Sequence, residues 1–323
     1  MSNIQKVAII GCGSIGASWA ALFLAQGLTV STFDVNPAAQ KLMENIVSDA
    51  LPVLSSLGLL KKTDAKPSDI LFTTTMEDAL KGADFVQENG PERLQFKQEL
   101  FNKISQTVAQ DTIIATSSSG LTCSSIQDGM PGSSHPERCI VGHPFNPPHL
   151  IPLVEVVGGR QTSPDIVSRT MAFYSGVGKK PVWVKKEVVG HLANRLQAAL
   201  MREIMYLLQE DVATVSDLDT AMSFGPGLRW GVMGPSTLFH LGGGEGGGIQ
   251  HMADHLLGPL MGWYAPRDPV VDGGLRGKWV AGTVEEVGGR DFRELARQRD
   301  EELVRLLNVR REWDGFAGRK KSE

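Results

Sequence analysis

A histidine and a glutamate stand at the two ends of a proline-rich segment, His143 before residues 144–152 and Glu155 after them. Apolar β-branched residues on both sides of Glu155 predict a buried strand, where a carboxylate is costly unless a partner compensates it. An imidazole can take a proton near neutral pH, and a carboxylate behind it fixes its tautomer. The two residues are therefore candidates for a general-base pair. Their spacing fits equally well a histidine that caps a strand and a glutamate that meets an arginine.

A glycine motif lies near the start of the chain, where residues 6–16 read KVAIIGCGSIG. It follows a predicted strand and opens an apolar helix, the context in which such a motif binds a dinucleotide. The three glycines would allow a tight turn, the close approach of the pyrophosphate and close packing of helix on strand. The phosphates would lie on the N-terminus of the helix. The predicted contacts are Gly11, Gly13, Ser14, Ile15 and Gly16.

Asp34 ends the second predicted strand. Its carboxylate could accept hydrogen bonds from the adenosine ribose, and it would repel a 2′-phosphate. No arginine follows to hold such a phosphate, so the sequence favours NAD over NADP. Asp34 also begins the segment Asp-Val-Asn-Pro, a sequence typical of a turn. The alternative interpretation is therefore that Asp34 is a turn residue.

Strand-like and helical segments alternate through the first half of the chain, which predicts a Rossmann-like doubly wound sheet with helices on both faces. The strand candidates are 6–10, 29–33, 70–74, 85–87, 112–116, 139–141 and 153–157. Helical spacing of leucines begins after residue 187. We therefore predict an NAD-binding domain over residues 1–187 and a mostly α-helical second domain over residues 188–323. The glycine-rich run 242–248 is predicted to be a flexible loop.

Composition excludes several classes of protein. A net charge of −4 and an isoelectric point near 6.0 argue against nucleic acid as a partner, and the basic run 319–321 is predicted to be a solvated tail. Three scattered cysteines suit a reducing compartment, and no apolar stretch is long enough to span a membrane. The N-terminus carries no signal-peptide pattern, so we expect a cytoplasmic protein. His251 and His255 lack a third ligand, so we expect no metal site.

Several motifs resemble the L-3-hydroxyacyl-CoA dehydrogenase superfamily over nearly the whole chain. They are HPFNPPHLIPLVEVV from His143, SSSGL from Ser117 and NRL from Asn194. In that family a His–Glu pair moves the proton, a serine and an asparagine hold the substrate oxygen, and NAD accepts hydride. The resemblance assigns these roles to His143, Glu155, Ser119 and Asn194.

The same resemblance implies further contacts. It places Asn146 near the nicotinamide, and Glu92, Lys97 and Ser119 at the cofactor. It also implies a homodimer that forms through the helical domain.

Within the superfamily, the chain is more similar to two branches that act without CoA, the L-gulonate 3-dehydrogenase and lambda-crystallin branch and the L-carnitine dehydrogenase branch. NPPHLIPLVE and VKKEVVGHLANRLQ are similar to the first, and GPGLRW and VEVVGG to the second. His149 and His191 depart from the aromatic residues that the relatives have. Both branches have an arginine matching Arg229, which implies that it recognises a substrate carboxylate. A structural ion pair between Arg229 and Asp219 is the alternative.

These features predict an NAD-dependent enzyme that oxidises the 3-hydroxyl of a short L-3-hydroxy acid, gulonate-like or carnitine-like, or reduces the 3-oxo acid. A 3-hydroxyacyl-CoA dehydrogenase, such as one acting on 3-hydroxybutyryl-CoA, is the first alternative. An imine-reducing descendant and a non-enzymatic, crystallin-like protein are the others.

Overall fold

The computed structural model describes residues 4–312, and the basic run 319–321 lies outside them. The chain divides into two compact units between Arg195 and Leu196. The predicted domain boundary after residue 187 lies shortly before this division.

The first unit is built on one eight-stranded sheet. Its strands are β1 (Lys6–Ile10), β2 (Thr29–Phe33), β3 (Leu71–Thr73), β4 (Phe85–Glu88), β5 (Ile113–Thr116), β6 (Cys139–Pro144), β7 (Leu153–Gly158) and β8 (Lys180–Trp183). They lie in the order β3-β2-β1-β4-β5-β6-β7-β8. The first six strands of this order form the doubly wound arrangement, which changes direction between β1 and β4. The predicted fold class is confirmed, with one difference: β7 runs antiparallel to β6.

Six helices connect the strands of this unit. They are α1 (Ser14–Ala25), α2 (Ala39–Ser56), α3 (Met76–Leu80), α4 (Leu94–Thr107), α5 (Cys123–Gln127) and α6 (Pro164–Gly176). Helix α1 is buried along nearly its whole length, which its apolar composition permits. Trp19 and Phe23 of α1 stack at 5.2 Å between ring centroids, and Phe85 lies 4.3 Å from Phe173. This aromatic cluster fixes α1, and with it the glycine turn, against the sheet.

The remaining helices belong wholly or mostly to the second unit. They are α7 (Ala193–Gln209), α8 (Val215–Phe224), α9 (Pro226–Val232), α10 (Pro235–Gly242), α11 (Gly244–His255), α12 (Leu257–Met261), α13 (Gly273–Val287) and α14 (Phe292–Glu312). Helix α8 begins with a capping box between Thr214 and Asp217. No helix among residues 4–312 combines the length and the apolar character needed to cross a membrane.

The glycine-rich run is not the loop that we predicted. It ends α10 and begins α11, and Gly248 interrupts the second helix with φ 53° and ψ −138°. A Cβ atom on Gly243 would stand 1.8 Å from the carbonyl oxygen of Gly248. The glycines therefore permit a close approach of two backbone segments, which the composition alone could not distinguish from flexibility.

A buried lysine holds the segment between β6 and β7, residues 145–152, which we call the elbow. The Nζ atom of Lys179 donates to the carbonyl oxygens of Pro148, at 2.6 Å, and Ile151, and it lies 5.1 Å from the ring centroid of Trp19. Burial lowers the pKa of Lys179 to about 7. The elbow is therefore tied to the core by an amine that is easily deprotonated.

We expect Lys179→Met to change how stability depends on pH. Between pH 7 and the ordinary lysine pKa of 10.5, the unfolded chain holds a proton that folded Lys179 has lost. Unfolding then takes up a proton, so the Lys179 contribution to the free energy of unfolding rises with pH, by at most about 1.4 kcal/mol per pH unit. The wild-type value minus the variant value should rise over this interval and stay flat below it. Urea unfolding at a series of pH values measures this difference.

The matched control is Lys185→Met, because Lys185 also lies over an indole ring, 6.0 Å from the centroid of Trp183, but is exposed. Its difference from wild type should show no such slope. A flat difference for Lys179→Met would contradict the lowered pKa.

Candidate active site

The glycine turn after β1 has the geometry of a phosphate cradle. Gly11 adopts φ 91°, and its N–H donates to the carbonyl oxygen of Phe33 at 2.8 Å. A Cβ atom on Gly16 would stand 1.9 Å from the carbonyl oxygen of Gly11, so only glycine allows this packing of turn on helix. Gly13 instead faces open space, with nothing within 4 Å of its ideal Cβ position. A ligand can approach the backbone there.

The first turn of α1 offers donors to an anion. No side chain of the described residues caps this helix at Gly13, and its first turn holds no acidic residue. The N–H groups of Ser14, Ile15 and Gly16 precede the first intrahelical donor, Ala17, which bonds to the carbonyl of Gly13 at 2.9 Å. These residues fit the pyrophosphate of a dinucleotide.

Asp34 forms the turn that was our alternative interpretation. Its carboxylate accepts from the N–H of Asn36 at 2.9 Å and from the N–H of Cys12, also at 2.9 Å. The second bond ties the end of β2 to the glycine turn. The predicted hydrogen bond to a ribose stays a prediction, and these contacts show what orients the carboxylate for it.

His143 and Glu155 are partners. They face each other across the antiparallel pair of β6 and β7, and the elbow between the strands turns the chain back to make this register. Nδ1 of His143 lies 2.9 Å from Oε2 of Glu155, and Nε2 lies 3.0 Å from the hydroxyl of Ser119. Both members of the pair are buried. The alternative of a strand cap and an arginine partner is wrong, since the residue opposite Glu155 is the histidine.

The second oxygen of Glu155 is held by backbone. Oε1 accepts from the N–H groups of Leu192, at 2.7 Å, and Ala193, at 2.9 Å. Burial raises the pKa of Glu155, but the bonds from His143 and from these two N–H groups outweigh burial, and the net pKa is lowered. An ionised Glu155 requires a proton on Nδ1 of His143, which leaves the Nε2 lone pair free to take a proton.

Glu92 shapes the loop that carries Ser119. Its Oε1 accepts from the hydroxyl of Ser118 at 2.5 Å and from the N–H groups of Ser119, at 3.1 Å, and Gly120, at 2.8 Å. Burial raises the pKa of Glu92, and these bonds, with the charge of Lys97, lower it overall. Its direct contact with the cofactor stays a prediction. Its role in fixing Ser119 was missed, since it depends on contacts distant in sequence.

Lys97 lies in the interior rather than on a surface. Its Nζ atom pairs with both oxygens of Glu88, at 2.9 and 2.8 Å, and lies 3.6 Å from Glu92. Our expectation of a cofactor contact for Lys97 stays a prediction. The structure assigns it a contact that we did not predict, the ion pair with Glu88 at the end of β4. Glu88 is a carboxylate at the end of a buried strand, and Glu155 is one within a buried strand. This pattern in the sequence could have indicated that Glu88 has a buried partner.

The structure shows where the other three predicted residues lie but not what they do. Asn194 lies half-buried in the first turn of α7, directly after Ala193. Asn146 is exposed in the elbow. Arg229 lies on α9 in the second unit, where it lines a small cavity of about 240 Å³ with Trp230 and Phe239. Their roles stay predictions.

Comparison with known proteins identifies the family. Residues 6–188 match the NAD-binding domain of 3-hydroxyacyl-CoA dehydrogenases, and residues 190–266 match the C-terminal domain. The chain belongs to the 3-hydroxyacyl-CoA dehydrogenase family. NAD is accordingly its cofactor, as the glycine cradle indicates.

Relatives of known activity in this family cover almost the entire chain. The sequence is 41% identical to L-carnitine dehydrogenase of Streptomyces griseus, over 95% of this chain and 90% of that protein. It is 40% identical to L-carnitine dehydrogenase of Pseudomonas putida, over 96% of this chain and 95% of that protein. The predicted resemblance to the L-carnitine dehydrogenase branch is confirmed. The resemblance to L-gulonate 3-dehydrogenase stays a prediction.

Two solved structures of the family are also similar. A 5-formyl-3-hydroxy-2-methylpyridine 4-carboxylic acid 5-dehydrogenase, described as an NAD⁺-dependent dismutase, is 32% identical with a TM-score of 0.82, over 97% of this chain and 99% of that chain. The (S)-3-hydroxybutyryl-CoA dehydrogenase of Ralstonia eutropha is 28% identical with a TM-score of 0.63, over 74% of this chain and 82% of that chain. Family members thus act on different substrates.

We expect Glu155→Gln to abolish most turnover, because the two backbone donors select the orientation of the new amide. Its carbonyl oxygen must face the N–H groups of Leu192 and Ala193, so its NH₂ group faces Nδ1 of His143. The proton then sits on Nε2, which can no longer act as a base. The loss of kcat should be about 10²–10⁴-fold. Steady-state oxidation rates over a range of pH measure it.

Asp84→Asn is the matched control, because Asp84 also accepts two consecutive backbone N–H groups on one oxygen, those of Gln5 and Lys6, at 2.8 Å each. Asp84 precedes β4 and is therefore at the opposite edge of the sheet. Its variant should keep near-normal turnover. Equal rates for Glu155→Gln and wild type would contradict the assigned tautomer.

Proposed function

We propose that the protein oxidises the 3-hydroxyl of a short, free L-3-hydroxy acid to the 3-oxo acid with NAD, or catalyses the reverse reduction. The observation that carries the proposal is the chain of hydrogen bonds from Ser119 through His143 to Glu155. It lies at the carboxyl edge of the same sheet whose β1 opens into the glycine cradle. A base and a dinucleotide cradle at one edge are what alcohol oxidation requires.

The residues divide the proton chemistry among them. The glycine cradle would hold NAD, which would supply the hydride acceptor for C3 of the substrate. His143 takes the hydroxyl proton on Nε2, and Glu155 stabilises the resulting imidazolium through Nδ1. Ser119 and Asn194 position the substrate oxygen, the former from a hydroxyl 3.0 Å from the base. In the reductive direction, protonated His143 returns the proton to the carbonyl oxygen.

A free acid is favoured over a CoA thioester by Arg229. Within residues 4–312 this arginine forms no ion pair, with Asp219 or with any other acid, and its side chain is exposed. The described residues therefore give no support to the structural ion pair that was our alternative. A guanidinium recognises a carboxylate through two parallel charge-assisted hydrogen bonds, whereas a thioester carries no charge at C1.

A homodimer through the helical unit forms part of the proposal. The described part of this unit has a small buried apolar cluster, formed by Leu208, Val215 and Leu275. Large apolar side chains in the same unit stay exposed, among them Phe224, Leu228, Leu241, Trp263 and Val270. Exposed apolar surface of this kind marks a contact with another chain. We also propose a cytoplasmic location, which the three free, buried cysteines support.

The test is NADH formation on matched pairs of free 3-hydroxy acids and their CoA thioesters, with L-carnitine and L-gulonate in the set. We expect the free acids to be better substrates and His143→Ala to lower kcat by about 10²–10⁴-fold while NADH still binds. Preference for the thioesters would establish the CoA alternative. NADH binding without turnover of any acid or thioester would leave a non-enzymatic protein or an imine reductase.

We expect Arg229→Met to raise KM for a free hydroxy acid by about tenfold or more, since a hydrogen bond to a charged group contributes ~1.5–3 kcal/mol. NADH affinity and melting temperature should stay nearly unchanged. Arg276→Met, at an exposed position on α13, is the control and should leave KM unchanged. Early unfolding of the Arg229 variant, or an unchanged KM, would show that Arg229 does not bind the carboxylate.

A further inference from the structure

A second histidine lies beside the catalytic one. His191 is 2% exposed, and the centroid of its ring is 5.0 Å from that of His143. Its Nε2 atom is 3.0 Å from the carbonyl oxygen of Ser118, the residue before Ser119. Because a carbonyl oxygen only accepts, Nε2 carries the hydrogen and donates it. The neutral ring therefore has its lone pair on Nδ1.

The Nδ1 atom of His191 has no hydrogen-bond partner among residues 4–312, although it is buried. Burial lowers the pKa of His191, and the neighbouring His143 lowers it further. The ring therefore stays neutral near pH 7 and is a poor relay for the proton that His143 takes. A buried acceptor without a donor is costly, which points to a donor that arrives with a ligand.

The backbone at His191 is also held in an unfavourable conformation. Its φ is 49°, and the preceding Gly190 has φ 77°. The bonds from Leu192 and Ala193 to Glu155 fix the chain directly after it. A side chain other than glycine in the left-handed region is strained, and such strain concentrates at functional sites.

The chemistry of a 3-hydroxy acid limits what can pair with this acceptor. The reacting hydroxyl has one hydrogen, and it goes to His143. The carboxylate, like a thioester carbonyl, only accepts hydrogen bonds. A partner on the substrate must therefore be a further O–H or N–H group.

We propose that His191 is a specificity-determining residue whose Nδ1 atom accepts a hydrogen bond from a second donor on the substrate, such as a hydroxyl on the carbon next to C3. The preferred substrates are then hydroxylated 3-hydroxy acids. The quaternary ammonium of carnitine has no N–H and cannot form this bond. The inference rests on the proposed function and narrows its substrate class.

The test compares two acids that differ by one hydroxyl, 3,4-dihydroxybutyrate and 3-hydroxybutyrate, each in the L configuration at C3. The readout is the ratio of their kcat/KM values, measured by NADH formation. We expect the wild type to favour the dihydroxy acid by about tenfold, and His191→Phe to reduce this ratio by about five- to tenfold, as the loss of one hydrogen bond in a buried site implies. His191→Asn should keep much of the preference, because Asn tolerates the left-handed region and its carbonyl oxygen can replace Nδ1.

His135→Phe controls for strain. His135 has φ 51° and ψ 58°, and it lies in the segment before β6, at the amino edge of the sheet. Its variant should leave the wild-type ratio unchanged.

The results separate two failures. If the wild type oxidises both acids with a ratio near one, or if His191→Phe keeps the wild-type ratio, the inference is wrong and the proposed function stands. If the free acids are not oxidised while their CoA thioesters are, the proposed function fails and the inference falls with it. If His191→Asn and His191→Phe lower the ratio of the two kcat/KM values by the same factor, the role of Nδ1 as an acceptor is also overturned.

Discussion

The carboxylate of Glu155 makes three hydrogen bonds on which the arrangement of the active site depends. One oxygen accepts from His143 on the neighbouring strand, and the other accepts from two backbone N–H groups at the start of α7. A single buried charge thus sets the tautomer of the base and the position of residues 190–193. Burial of a carboxylate is tolerated because all three partners donate to it. Removal of the negative charge would affect the base and the start of α7 together, so the two cannot be treated as independent parts of the site.

A second polar network lies at the ends of β4 and β5. The ion pair of Lys97 and Glu88 is fully buried, and Thr116 donates to Glu88 at 2.6 Å. Glu92 lies 3.6 Å from Lys97 and accepts from the loop that carries Ser119. Groups that are this well satisfied rigidify a buried region, although they add little net stability over apolar packing. The loop that carries Ser119 is therefore positioned by charges that have no part in the proposed reaction, which suits a site where small displacements slow the reaction.

Seven of the eight strands of the first unit, all except β8, could be predicted closely because apolar β-branched runs separated by helical segments admit few other interpretations. Three further features could not be predicted. The sequence showed His143 and Glu155 but not that β7 turns back antiparallel, and this register is what brings them together. The glycine run 242–248 looked flexible because composition does not reveal the close backbone contact between Gly243 and Gly248. Lys179 carried no local pattern, since the carbonyl groups that it contacts lie 31 and 28 residues away in the chain.

The contacts of the catalytic histidine explain why substrate choice must depend on other residues. Nδ1 of His143 is used by Glu155, and Nε2 faces the hydroxyl of Ser119 and, in the proposed reaction, takes the proton of the substrate hydroxyl. Neither nitrogen is free to recognise the rest of the substrate, so these residues can stay the same while substrates differ between family members. A change of substrate then requires a group that is close to the base but not occupied by it. In the first unit His191 meets both conditions, since its ring lies beside His143 and one of its nitrogens has no partner among the described residues. In the proposed function, the reaction and the choice of substrate are thus divided between two histidines. Glu155 holds the first of them, and its backbone contacts fix the chain that carries the second.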